Sequence, residues 1–213
     1  MKRFLLIFST ILLNPAFSGG QPVKSPDEFL GYGLGTKFTF HHKVTEYCKY
    51  VADQSTSARY ETYGKTYEGR ELGVLIISSP ENLSALDEIR KNNLISAGLA
   101  EGTSTGKQLP FIWLSNNVHG NETAGTETAI KVIHTLVSRS YEGADDWLKE
   151  CIIVIDPCQN PDGRDLYVHR FTSAGNMVPN PDGLSREHRD GWPGSRSNHY
   201  MFDLNRDWAW QTQ

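Results

Sequence analysis

No run of apolar residues in this sequence is long enough to cross a bilayer. The longest near the N-terminus, Phe4–Leu13, has ten residues, against the ~20 that a membrane helix needs. Basic charge is not in excess. Twenty-one Lys and Arg stand against 25 Asp and Glu, for a formal net charge of −4, so a nucleic-acid partner held by a basic surface is not suggested. The 19 glycines follow no period, which excludes a collagen-like chain. No unit of roughly 20 to 50 residues recurs, which argues against a solenoid. Cysteine is sparse, with three in 213 residues, and no pair has the two-residue spacing of a zinc knuckle. Cys48, Cys151 and Cys158 are therefore read as buried small residues. One disulfide would be permitted in an oxidising compartment, but Cys151 and Cys158 could pair only if the chain turned back between them.

Enough apolar material is present for a packed core, at 38% hydrophobic and 11% aromatic residues. The chain length suits one domain of ordinary size or slightly more. Residues 1–18 read as a segment outside that fold. Lys2 and Arg3 form a basic head, Phe4–Leu13 an apolar stretch, and Ala16 and Ser18 a small-residue cleavage pattern ahead of Gly19-Gly20. This is the three-part design of a secretory signal peptide, so a secreted or periplasmic location is expected, with no membrane contact after cleavage.

Beyond it the chain alternates strand and helix. Residues 19–40 are rich in Gly and Pro and are expected to be an extended lead-in. Val44, Tyr47, Cys48 and Val51 make one helical face within 43–54. Leu72–Ser78, Pro110–Asn117 and Cys151–Asp156 read as strands. The last is apolar on successive positions, as in a sheet covered on both faces. Helices are expected over 80–92 and 122–138. Strands separated by helices imply an α/β sandwich with a largely parallel sheet. From Pro157 onward the chain reads mostly as loop, in the region where α/β enzymes keep their chemistry.

His119-Gly120-Asn121-Glu122 falls at the junction of the second strand and the following helix. Imidazole nitrogen and carboxylate oxygen are zinc donors, and Gly120 allows a tight turn between them. The spacing alone is weak evidence, and Glu122 is also explained as an acid favouring a helix N-terminus. A second cluster is Arg196-Ser197-Asn198 followed by Asp203-Leu204-Asn205-Arg206. Two guanidinium forks and an amide can grip a carboxylate or an oxyanion; an ordinary surface loop with salt bridges explains them equally. Asn160-Pro161-Asp162-Gly163 is a turn signature that ends the third strand, and the same four letters recur at 180–183, where they read as a plain turn.

Together these pieces resemble the zinc metallocarboxypeptidases, and exported bacterial members in particular. His119-x-x-Glu122, Asn160–Gly163, and Arg196 nine residues before Asn205-Arg206 are similar to that family in order and spacing. Gly64-Lys65-Thr66-Tyr67-Glu68-Gly69-Arg70 also resembles an early segment of the same family. The resemblance runs from about residue 43 to the C-terminus. It implies a three-layer α/β/α sandwich with a mixed, largely parallel sheet. It also implies Zn²⁺ as cofactor, with His119 and Glu122 as two of three ligands. By the same resemblance Arg196 would stabilise an oxyanion, and Asn205 and Arg206 would bind the C-terminal carboxylate of a peptide or protein substrate. The His₂Glu ligand set is itself the standard description of carboxypeptidase A.

The resemblance also requires a His after the Asn-Arg pair and a Glu base further on. Only seven residues follow Arg206, none of them His, Glu or Tyr. His41, His42, His134, His169, His188 and His199 fall at the wrong places. The expectation is therefore that residues 41–213 are the N-terminal part of a catalytic domain, inactive by itself and binding zinc weakly if at all, with an uncovered sheet edge. Two other readings stay open. One is a zinc-dependent amidase or deacylase of the same fold; the other is a non-catalytic peptide-binding module that keeps the clamp.

Overall fold

The computed structural model describes residues 22–178 and 180–213. The signal-peptide pattern at residues 1–18 lies outside the described residues. Eleven helices and strands follow in chain order. They are α1 (Pro26–Leu30), α2 (His41–Gln54), β1 (Ala58–Lys65), β2 (Glu71–Ile77), α3 (Pro80–Ser84), α4 (Leu86–Ser96), β3 (Phe111–Ser115), α5 (Ala124–Val137), α6 (Ala144–Glu150), β4 (Ile152–Asp156) and α7 (Pro161–Ala174). Single 3-10 turns occupy Arg186–His188 and Leu204–Arg206. No helix among the described residues is long and apolar enough to cross a membrane.

The four strands make one sheet in the order β1-β2-β4-β3. Successive side chains of a strand point to opposite faces, and the two central strands use both. Leu75, Ile77, Ile153 and Ile155 pack with Val44, Val51, Ile130 and Ile133 of α2 and α5. Val74, Ile76, Ile152 and Val154 pack with Leu86 and Ile89 of α4 on the other side. The result is the expected α/β/α layering, with every residue of β4 buried.

The sheet is mixed, as expected, but not largely parallel. β3 pairs with β4 in parallel, whereas β1 with β2 and β2 with β4 are antiparallel. The reason is local. β1 and β2 form a hairpin, closed by Thr66 N–H to Arg70 O at 2.8 Å and by Gly69 at φ 82°. β1 itself escapes an apolar-run reading because most of it is half-buried or exposed, as suits an edge strand. A bulge between Thr62 and Gly64 leaves Tyr63 without a ladder partner and aims its hydroxyl at Asp156.

Three further expectations are corrected. Residues 19–40 are not simply extended, because Ser25 and Glu28 form a capping box that starts α1, and Phe29 and Leu30 pack on the core. The helix expected over 80–92 is two helices, α3 and α4. The segment after Pro157 is mostly irregular, as expected, but its first part is not, because α7 runs for 14 residues. Its start is the Asn-Pro-Asp-Gly sequence itself. Asn160 accepts the Gly163 N–H at 3.0 Å as N-cap, Pro161 presets the first turn, and Asp162 favours the positive helix end. The second copy is a turn as expected, with Asp182 N–H on Asn180 Oδ1 at 3.0 Å.

β3 stands at the sheet edge. Phe111, Ile112, Trp113 and Leu114 are 39–60% exposed, the uncovered apolar edge expected from the sequence.

Candidate functional site

The C-terminal ends of the parallel pair β3 and β4 carry the site, the usual place in open α/β sheets. The two loops leaving those ends are stitched together. Asn116 N–H reaches Asp156 O at 3.0 Å, Gln159 N–H reaches Asn116 O at 3.0 Å, and Asn160 N–H reaches Asn117 O at 3.2 Å. Asn117 has φ 56°, a left-handed conformation that asparagine tolerates better than most residues. The chain then turns through His119, with Glu122 N–H on His119 O at 3.0 Å. Glu122 lies in this turn and not in the first helical turn, because α5 begins only at Ala124 with Thr123 as N-cap.

The turn is pressed against two other backbones. A Cβ placed on Gly120 would collide with Gly163 C, Arg164 N and Ser195 O; one on Gly163 would also meet Ser195 O. Glycine is required at both positions for that approach. Asp190 secures the loop that carries Ser195. It accepts from Ser195 N–H and, at 3.1 Å, from Asn121 Nδ2. Asn160 Nδ2 donates to the carbonyls of Arg196 and Ser197 at 3.2 and 3.0 Å. The Asn-Pro-Asp-Gly segment thus shapes the site floor by holding the Arg196 loop.

His119, Glu122 and Arg196 are brought together, and Asp203 joins them. His119 is 4% exposed. Its Nδ1 lies 2.9 Å from Glu122 Oε1 and its Nε2 lies 3.0 Å from Asp203 Oδ1. Arg196 donates Nε to Asp203 Oδ2 at 3.1 Å, with Nη1 3.5 Å from Glu122 Oε1. Partial burial raises the Asp203 carboxyl pKa, but hydrogen bonds from His119, Arg196 and the Asn205 N–H outweigh it and hold it below the usual carboxylate range. Sequence reasoning left Asp203 among the salt-bridging acids. Its signal was available, as an acid two residues before the Asn-Arg pair, but which ring nitrogen it meets is a tertiary fact.

This donor set fits a metal ion. Both ring nitrogens of His119 face carboxylate oxygens, and a neutral imidazole has only one N–H to give. An imidazole nitrogen beside a carboxylate oxygen is the donor pair that zinc takes, so His119 and Glu122 could hold such an ion. Asp203 would then play the outer carboxylate that fixes the ring tautomer. Asp203 lies on the far side of the ring and cannot join the ligands. Among the described residues no group of three His, Cys, Asp or Glu is placed to hold a metal ion. Three of the remaining His residues are engaged elsewhere: His41 Nε2 with Glu71 O at 2.7 Å, His188 Nε2 with Asn180 O at 2.6 Å, and His199 Nδ1 with Glu68 Oε1 at 2.9 Å.

Asn205 and Arg206 form the 3-10 turn that Asp203 caps. Asn205 Oδ1 accepts from Trp208 Nε1 at 3.0 Å. The Arg206 side chain is exposed, and among the described residues it has no carboxylate within ion-pair distance. Beside this turn opens a cleft of about 610 Å³, walled by Tyr63, Tyr67, His199, Leu204 and Trp208.

The hairpin motif at 64–70 also has a place. Arg70 donates Nη1 to Asp162 at 2.7 Å and Nε to Asp165 at 2.8 Å, and Thr66 Oγ1 donates to Asp162 at 2.7 Å. It fastens the β1–β2 turn to the first turns of α7.

The chain is thus a three-layer α/β sandwich with a His–Glu pair at the ends of its parallel strands. Residues 44–213 match the zinc carboxypeptidase family, and the chain belongs to that family. It is 27% identical over 183 residues to carboxypeptidase 2 of Trichophyton rubrum, a match covering 85% of this chain and 29% of that protein. It is 27% identical over 190 residues to carboxypeptidase Z of Homo sapiens, covering 85% of this chain and 24% of that protein. The crystal structure of carboxypeptidase A from Helicoverpa armigera superposes with a TM-score of 0.52 at 19% identity, covering 85% of this chain and 39% of that one. This last likeness shows the fold. The chain spans less than a third of the length of these two curated relatives.

Proposed function

We propose that this chain carries part of the machinery of an exported zinc carboxypeptidase, which hydrolyses the C-terminal residue of a peptide or protein. The observation that carries the reading is the two-sided environment of His119, with Nδ1 turned to Glu122 and Nε2 held by Asp203. His119 and Glu122 would hold Zn²⁺. When bound, the ion lowers the pKa of a water molecule and polarises the scissile carbonyl. Asp203 keeps the His119 ring in one orientation. Arg196, 43% exposed at its side chain and anchored through Nε, keeps donors free for the oxyanion that develops on that carbonyl. Asn205 and Arg206 would bind the terminal carboxylate, and the exposed Arg206 fork suits that partner. A clamp at fixed distance from the reacting carbonyl restricts cleavage to chain ends. Among the described residues no third His, Cys, Asp or Glu joins His119 and Glu122 in a metal-holding group. Export rests on the pattern of residues 1–18.

The test offers the Zn²⁺-loaded product of the whole gene matched peptides with free and amidated C-termini, beside acylated amino acids. Release of the terminal residue only from free-carboxylate peptides is the expected result. Preference for acylated amino acids would move the assignment to an amidase. Binding without turnover would make it a peptide-binding module.

A further inference from the structure

We infer that Asn117 is a positioning residue for the metal-binding turn, acting through a buried relay to Arg164 and Glu127; the inference rests on the zinc reading of His119 and Glu122. Asn117 is 6% exposed and lies two residues before His119. Its amide is used in both directions. Nδ2 donates to His119 O at 2.6 Å and Glu122 O at 3.1 Å, with Gly120 O at 3.5 Å. Oδ1 accepts from Thr126 Oγ1 and from Arg164 Nη1, each at 3.1 Å. Carbonyls only accept and a guanidinium only donates, so these partners fix which amide atom is which.

The backbone units of both candidate ligands therefore hang on one NH₂ group. That group is in turn anchored to α5 and α7. Arg164 is fully buried and has four partners. It donates to Thr39 O at 2.9 Å, Asn117 Oδ1 at 3.1 Å, Thr123 O at 3.0 Å and Glu127 Oε1 at 2.7 Å. Glu127 also accepts from Thr39 N–H at 2.7 Å and Thr39 Oγ1 at 2.8 Å. A buried charge persists only when paired and hydrogen-bonded in this way, so the relay has one low-energy arrangement. It ties the chain before α2 to both helices that frame the turn. The side chain that reads this frame into the turn must both donate and accept. It must also tolerate φ 56°. Asparagine meets both demands; Asp lacks the donor and Gly lacks both groups.

The experiment uses the product of the whole gene with Asn117→Asp and Asn117→Gly, and His119→Ala as control. Zn²⁺ affinity is read by competition with a chromophoric chelator. Hydrogen exchange of residues 116–125 is read in the metal-free protein. Asn117→Gly accepts the backbone conformation, so it serves as the variant that keeps the fold should Asn117→Asp lose it. The expected result is a cooperative melt for at least one variant, with Zn²⁺ affinity lowered roughly 10- to 100-fold, as for other outer-shell partners. Exchange in 116–125 should quicken while β2 and β4 stay protected. Wild-type affinity with unchanged exchange in a folded variant would overturn the inference, as would unfolding of both variants. If the wild type binds Zn²⁺ no better than His119→Ala, the zinc reading fails by itself, and the exchange of 116–125 still decides whether Asn117 orders the turn.

Discussion

Asp156 ends β4 with a carboxyl group that is 1% exposed. Burial pushes its pKa up to about 6, although hydrogen bonds from Tyr63 and from the Cys158 N–H pull the other way. An unfolded Asp titrates near ~3.9. The folded protein therefore holds this proton more tightly than the unfolded chain does. The resulting stability is fully present below about pH 4 and is lost as pH rises through about 6. A shift of about two units corresponds to on the order of 3 kcal/mol. Asp156→Asn is expected to remove that fall, so urea titrations between pH 4 and 7 should show a flatter stability profile than the wild type. Equal profiles would mean Asp156 is ionised in place. The two arginines of the site differ in the same residue-level way. Arg206→Ala should raise KM for free-carboxylate peptides by about tenfold or more through loss of a charged hydrogen bond. Arg196→Ala should lower kcat by roughly 100- to 1000-fold. Steady-state kinetics of the zinc-loaded enzyme separates the two.

Among the elements, the crossing of the metal turn, the start of α7 and the Ser195 loop is the tightest. The atoms that would meet a Gly120 Cβ are backbone, and backbone yields less readily than a side-chain tip. Gly120→Ala is expected to cost about 2–3 kcal/mol by overpacking, lowering the melting temperature by roughly 5–10 °C, and to weaken Zn²⁺ binding. A melt and an affinity equal to wild type would show that the crossing is looser than its geometry. The β1–β2 turn depends on α7 in a different way. Arg70→Ala would strand Asp162, whose side chain is 4% exposed, and Asp165 at 16%. Two poorly solvated carboxylates without a cation should cost about 2–4 kcal/mol, visible as a lower denaturation midpoint.

At the scale of the molecule, the sheet has two edges, a polar one at β1 and an apolar one at β3. β3 presents Ile112 and Trp113 at 44% and 60% exposure along an unpaired edge, a template for strand pairing. The chain purified by itself is expected to self-associate as concentration rises, and Trp113→Lys to reduce this in sedimentation velocity. The central strands, α2 and α5 were legible in the sequence because apolar periodicity is a local signal. The family was legible because four short motifs occur in order. β1 was not legible, since a half-exposed edge strand has no apolar run. α7 was not, since its Pro and Gly read as a turn until Asn160 is seen capping it. The parallel share was overestimated because strand direction depends on how the ends are joined. Arg164 and Asp203 stayed hidden for a stronger reason: each acts through partners tens of residues away, which no spacing rule records, and Asn117 takes its anchor from Arg164.

The three cysteines are all free and buried, and burial drives the Cys48 and Cys158 thiols up to about 12. A thiol held protonated and out of solvent does not react with alkylating reagents until its surroundings open. The chain thus carries its own set of clocks. Cys48 sits in α2, Cys151 at the foot of β4, and Cys158 against Asn117 with Sγ 3.5 Å from Oδ1. Timed labelling followed by mass spectrometry would date the opening of each neighbourhood separately. Early labelling at Cys158, with Cys48 still silent, would mark the His119 turn as a unit that comes apart before the core does.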